Sequence, residues 1–228
     1  MVKVQVFSMM SISDAELVAG TGADHVGFQV SAGNIPYTVD TRLGRSICEV
    51  IKPSAKAVMI PISRDQDEIL ELARVVEPDI VQLANAESMM SRQAYSVLLN
   101  KLENEGFVTI KVIAVGSGNE LETAMYYAGK SSLLMLDTYG NPPSDLLRGF
   151  IGGTGKTNDW KLSRKIVESV EKPVILAGGL NLNNVASAIE EVKPWGVDAA
   201  SGLSIPSSQG KKDIEKVRKF VEIAKGIS

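Results

Sequence analysis

Short apolar runs alternate with amphipathic stretches of helical period along the whole chain. The runs fall at residues 2–7, 25–30, 55–60, 80–83, 108–115, 132–136, 173–177 and 196–199. Between and after them, apolar residues recur every three or four positions over 13–19, 40–51, 65–76, 88–105, 119–128, 159–170, 183–192 and 213–224. The first set predicts strands and the second predicts helices. Start signals accompany the helices. Ser13 is followed three residues on by Glu16, Asp65 by Glu68, and Asp213 by Lys216 after an acidic start. Asn181, Asn183 and Asn184 supply caps for the seventh helix, while Pro53, Pro78 and Pro173 mark returns to strand.

Eight strands and eight helices in strict alternation predict an α/β protein built as a (β/α)8 TIM barrel, one domain over residues 1–228. An open doubly wound sheet is the alternative. The strand runs are apolar on both faces, as a barrel requires when helices cover its outside and side chains fill its inside. The longest irregular part, residues 138–157, follows the sixth strand, and loops of that length in compact domains tend to carry function.

Across the end of that loop, residues 151–160 read I-G-G-T-G-K-T-N-D-W. Three glycines in four residues allow a sharp turn and close approach to a ligand. The helix that follows adds backbone N–H groups suited to an anion, usually phosphate. The spacing is not that of a Walker A loop, because Phe150 stands where its first glycine belongs. Two further small-residue turns follow apolar runs, Ala177-Gly178-Gly179-Leu180 and Ala200-Ser201-Gly202-Leu203. In a TIM barrel the loops after strands seven and eight hold phosphate at the face where the strands end. The three turns therefore predict a phosphate cup.

Composition narrows the classes. The chain has 228 residues, 44% hydrophobic and 22% charged, with a net charge of -3. This balance, with no lysine/arginine block, argues against a nucleic-acid surface. No apolar run approaches membrane-spanning length, and the chain enters its first strand at Lys3 with no leader, so a cytoplasmic protein is expected. One cysteine, Cys48, and one histidine, His25, leave neither a disulfide nor the usual nitrogen/sulfur metal site, and no cofactor is called for.

An ordered series of motifs carries a family resemblance. It runs L-L-M-L-D-T from Leu133, G-G-T-G-K-T-N-D-W from Gly152, P-V-I-L-A-G-G-L-N from Pro173, P-W-G-V-D-A-A-S-G-L from Pro194 and G-K-K-D from Gly210. The first half adds G-A-D-H-V-G-F from Gly22, Pro36, and V-Q-L from Val81. The chain resembles the phosphoribosylanthranilate isomerases, barrel enzymes of tryptophan biosynthesis of the ribulose-phosphate-binding type. That resemblance implies an Amadori rearrangement of an aminoaldose to an aminoketose. It assigns the substrate phosphate to Gly153, Gly155, Gly179, Ser201 and Gly202, and the general acid to Asp137. The partner implied is a phosphorylated small molecule, handled by a monomer or a homodimer.

Departures from the family pattern fall on other groups. The family's base is a cysteine ending the first strand, and here Phe7 holds that position. Phenylalanine cannot accept a proton. Tyr37 stands beside Pro36 where the family places an arginine for the anthranilate carboxylate, and a tyrosine lacks the bidentate charged fork. Gln82-Leu83-Ala84-Asn85 lacks the family's histidine, and Asn158 replaces a phenylalanine. The alternative function is a divergent paralogue that acts on, or only binds, another phosphorylated molecule.

Further candidates come from position. Tyr37, Gln82 and Lys111 are possible substrate contacts. Lys111 interrupts an apolar strand, so it reads either as a buried amine for base or Schiff-base chemistry or as a structural charge. Tyr37 and Tyr139 are suited to stacking on a ring, and Lys156 and Arg148 to adding charge near the phosphate. His25 begins the second strand, at the wrong end for catalysis, and Cys48 reads as a helix-packing residue.

Overall fold

The computed structural model describes residues 1–33, 35–140, 149–206, 208 and 210–227. Eight parallel strands close into a barrel in sequence order, β1 (Lys3–Phe7), β2 (His25–Val30), β3 (Lys56–Pro61), β4 (Ile80–Leu83), β5 (Val108–Val115), β6 (Leu133–Thr138), β7 (Val174–Leu176) and β8 (Gly196–Ala199). β8 closes the ring on β1, with Gln5 opposite Asp198 and Val6 opposite Ala199. The fold is therefore the (β/α)8 barrel that the alternation predicts.

The connecting helices are α1 (Ile12–Ala19), α2 (Thr41–Ile51), α3 (Gln66–Val76), α4 (Arg92–Asn104), α5 (Glu120–Ala128), α6 (Trp160–Ser169), α7 (Val185–Val192) and α8 (Ile214–Gly226). Six begin on a side chain that accepts a backbone N–H of the first turn. Ser11, Asp40, Asp65, Ser91, Asp159 and Asp213 do this. Each such cap contributes about 1 kcal/mol. Three sequence expectations shift here. Asn184 precedes α7 without a side-chain cap bond, its Oδ1 accepting the Asn181 N–H instead. Ser11, not Ser13, caps α1, because Ser13 already lies inside the helix. The fourth helix starts at Arg92 rather than at residue 88, after Ser91 has capped it.

Strand alternation sorts the core into two parts. Val58, Ile80, Ile110, Val112, Met135 and Ile175 point into the barrel. The neighbouring residues of the same strands point outward against the helices, where Val81, Ile113, Leu134 and Leu176 meet Ile69, Tyr95, Leu98 and Ile189. Full burial of each such side chain stabilises by roughly 1.5–3 kcal/mol. Among the described residues, no helix is long and apolar enough to cross a membrane.

Candidate functional site

The inward-facing side chains stop at the C-terminal ends of the strands, and there a cavity of about 540 Å³ opens. One wall carries carboxyl groups. Leu133 and Met135 of β6 point inward, so strand parity turns Asp137 inward too, and it lines the cavity. Its Oδ1 accepts the Thr138 N–H at 2.7 Å. Its other oxygen lies against Gly152, where an added Cβ would sit 2.0 Å from Oδ2. Burial pushes its pKa up to about 6, against the lowering effect of the Thr138 N–H.

A second carboxyl shares the wall. Asp198 of β8 also lines the cavity, and its Oδ1 has no hydrogen-bond partner. Burial and then the nearby Asp137 charge raise its pKa to about 7, while Gln5 and Lys212 act in the opposite direction. The Asp137 charge opposes ionisation of Asp198, so the pair holds a proton near neutral pH. Lys212 lies on the same side and donates to Ala200 O at 3.1 Å and Ser204 Oγ at 2.9 Å. Burial lowers its pKa to about 8. Asp198 and Lys212 belong to motifs noted in the sequence, but neither was singled out there as a site residue. Strand parity was the available signal for Asp198, since Gly196, Asp198 and Ala200 share one face.

The three small-residue turns meet beside this wall. Gly179 packs so tightly on the loop after β6 that a Cβ there would lie 2.8 Å from Lys156 C and 2.9 Å from Gly155 O. Gly202 lies against the turn after β7, where a Cβ would meet Leu180 O at 2.3 Å. A Cβ on Gly155 would be 4.0 Å from Ser201 Oγ, and Gly153 and Ser201 both line the cavity. Gly153, Gly155 and Gly179 adopt positive φ, at 70°, 67° and 59°. Among the described residues, the backbone N–H groups of Gly153, Gly155, Gly179, Ser201 and Gly202 donate to no acceptor. Side chains hold the turns in place. Thr138 Oγ1 donates to Lys156 O at 2.6 Å, Asn158 Nδ2 to Ala177 O at 3.1 Å, and Asn181 and Asn184 each to Gly179 O at 3.1 Å.

The rest of the lining is largely apolar, with Phe7, Ile60, Ile62, Phe150 and Ile151. The loop after β6 is pinned over it by Ile151 N–H to Ala84 O and Ala86 N–H to Gly149 O, both 2.7 Å. Tyr37 stands at the rim, 46% exposed. Gln82 also lines the cavity, accepting from Gln5 Nε2 at 2.9 Å.

Lys111 does not reach this cavity. Its strand neighbours Ile110 and Val112 take the inward positions, so Lys111 points out between α4 and α5. Its ammonium donates to Asn85 O at 3.0 Å and Val112 O at 2.8 Å, and lies 4.3 Å and 5.5 Å from the ring centroids of Tyr95 and Tyr127. Burial brings its pKa down to about 7. The expected substrate contact is thus corrected to a charge held inside the helix layer. His25 lies at the other end of the barrel, its Nδ1 3.2 Å from Gln5 Oε1 and its ring 5.9 Å from that of Trp195. Cys48 is buried on α2. Tyr139 does not line the cavity, the Lys156 side chain is exposed, and Arg148 falls outside the described residues. Among the described residues, no group of three or more His, Cys, Asp or Glu side chains is placed to hold a metal ion.

Comparison with known proteins sets this geometry in context. A family model described as N-(5'phosphoribosyl)anthranilate (PRA) isomerase matches residues 5–223. The N-(5'-phosphoribosyl)anthranilate isomerase of Methanocella arvoryzae is 36% identical over 222 residues, covering 97% of this chain and 97% of that one. The crystal structure of phosphoribosyl anthranilate isomerase from Thermotoga maritima superposes with a TM-score of 0.80 at 30% identity, covering 99% of this chain and 100% of that chain. A phosphoribosyl anthranilate isomerase crystallised with reduced 1-(o-carboxyphenylamino)-1-deoxyribulose 5-phosphate superposes at 0.77 with 26% identity, covering 99% and 100%.

Proposed function

The chain belongs to the N-(5'-phosphoribosyl)anthranilate isomerase family, and from that premise we propose how its cavity works. The family is one of aldose–ketose isomerases. The substrate is N-(5'-phosphoribosyl)anthranilate, an aminoaldose. The product is the aminoketose 1-(o-carboxyphenylamino)-1-deoxyribulose 5-phosphate, formed in a cytoplasmic step of tryptophan biosynthesis. The phosphate sits on the N–H groups of Gly153, Gly155, Gly179, Ser201 and Gly202. The anthranilate ring lies along the apolar lining, with its carboxylate toward the Tyr37 hydroxyl.

Asp137 starts the reaction as general acid. Its raised pKa keeps a proton available near neutrality, which it gives to the ribose ring oxygen. The ring opens as the anilino nitrogen's lone pair forms a C1=N bond. Proton loss at C2 and gain at C1 then complete the rearrangement. The observation that carries this reading is the placement of Asp137 in one cavity with Gly153 and Ser201, beside turns whose N–H groups donate to no acceptor among the described residues. Turnover is followed by the change in anthranilate fluorescence when purified protein meets the substrate. A first-order, enzyme-dependent change supports the reading. The departures at Phe7 and Tyr37 favour the second reading, a phosphate-ester binder, and that reading predicts binding of the product analogue without turnover.

A further inference from the structure

We infer that Asp198 is the second proton-transfer residue of the cavity, the carboxylate that removes the substrate's C2 proton where Phe7 has displaced the family's cysteine. The inference rests on the isomerase reading and supplies the base that it lacks.

Three observations lead to it. The first is strand geometry. Asp198 lies on β8, directly beside β1, with its Cα opposite Gln5 and therefore two residues below the level of Phe7. The second is where the Phe7 ring goes. It leans onto β2, so close to Gly27 that an added Cβ there would meet ring carbons at 1.8, 2.2 and 2.6 Å. β2 and β8 flank β1 on opposite sides, so the ring tilts away from Asp198 and leaves it facing the cavity. The third is the hydrogen-bond inventory. Gln5 is the side chain that bonds the Asp198 carboxyl, and Asp198 Oδ1 is buried with no hydrogen-bond partner among the described residues.

The other titratable groups that line the cavity do not serve. Asp137 is occupied as the acid. Lys212 spends its protons on Ala200 O and Ser204 Oγ, and Tyr37 stands at the exposed rim. Lys111 points out of the barrel. The groups facing Asp198 are Asp137 from β6, Gln5 from β1 and Lys212 from the segment before α8. With Asp137 at about 6 and Asp198 at about 7, the reactive arrangement, Asp137 protonated and Asp198 ionised, is the less populated of the pair's two singly protonated forms, about tenfold below its reverse.

The proton balance closes. Asp137 protonates the ring oxygen, and the C1–O bond breaks as C1=N forms. Asp198 takes the C2 proton, and the C2–H electron pair becomes C1=C2 while the C1=N pair returns to nitrogen. The C2 hydroxyl then gives its proton to Asp137 as C2=O forms. Asp198 returns its proton to C1, and both carboxyls regain their starting states. No oxidant or co-reactant is needed.

The test is Asp198→Asn, assayed for turnover of N-(5'-phosphoribosyl)anthranilate and for binding of the product analogue reduced 1-(o-carboxyphenylamino)-1-deoxyribulose 5-phosphate. The expected result is a loss in kcat of about 10²–10⁴-fold, with analogue affinity within about threefold of the unaltered protein. Asp198→Glu, which keeps a carboxylate, is expected to recover part of that loss. A smaller loss in Asp198→Asn, in a chain that is itself active, overturns the assignment and leaves the isomerase reading intact. Loss of turnover and analogue binding together also overturns it, since the residue would then serve binding or folding. An unaltered chain that turns nothing over overturns the isomerase reading and this proposal with it.

Discussion

Gly152 and Asp137 occupy space that only one of them can fill. A methyl group at Gly152 would lie 2.0 Å from Asp137 Oδ2 and 2.8 Å from its Cγ, well inside contact distance. Gly152 also holds φ at 95°, a conformation that L side chains rarely adopt. The loop after β6 therefore forms a wall of the carboxyl's socket. Gly152→Ala is expected to displace the carboxyl and cost about a hundredfold in kcat, the scale of a misplacement near 1 Å. It should also lower stability by roughly 1 kcal/mol or more from backbone strain. Steady-state kinetics alongside thermal melts separate the two effects.

Gly179→Ala tests the phosphate turns. The added Cβ would press on the backbone of Gly155, Lys156 and Thr157, which cannot swing aside as a side chain would. The expected outcome is a KM raised about tenfold or more, with kcat less affected, because uniform binding of the phosphate is what is lost. Inorganic phosphate should inhibit the unaltered protein competitively and the variant much more weakly.

Stability should depend on pH through the carboxyl pair. Both Asp137 and Asp198 have folded pKa values above that of an unfolded aspartate, at about 6 and about 7. The native state thus binds more protons than the unfolded chain between pH 4 and 7, and the associated stability is lost as pH rises through that window. Asp198→Asn removes the cost of ionising that carboxyl. Relative to the unaltered protein it should gain on the order of 2 kcal/mol between pH 5 and pH 8, which is about 4–8 °C at this size. Melting curves at both pH values check this. A difference that grew toward acid pH would have the wrong sign.

Lys111→Met probes the helix layer instead of the cavity. The ammonium is wholly buried between Tyr95 and Tyr127, and Asn85 O keeps the Tyr95 hydroxyl as a donor at 2.7 Å after the lysine is gone. kcat should stay within about twofold, because the amine reaches no reacting group. A large loss of turnover without loss of stability would return Lys111 to the site.

Sequence pattern carried the architecture further than the site. Strands apolar on both faces and capped helices between them are readable one element at a time, and β2, β4, β5 and β8 begin and end where the apolar runs do. The same two-sided apolarity hides which face a residue occupies. Lys111 interrupts β5 on the outer face and Asp137 ends β6 on the inner one, and only the barrel register separates them. Asp198 escaped notice because it is a single acid inside G-V-D-A, with its pair 61 residues away in the chain. The bond from Asn158 to Ala177 O was also out of reach, since it joins two loops that meet only when the barrel closes.

The central claim is that Asp137 drives an Amadori rearrangement in this cavity. Steady-state turnover of N-(5'-phosphoribosyl)anthranilate by Asp137→Asn, compared with the unaltered protein, tests it most directly. The account predicts a kcat lower by about 10²–10⁴-fold with KM changed by less than about threefold. Equal turnover in the two proteins, or none in either, would contradict it.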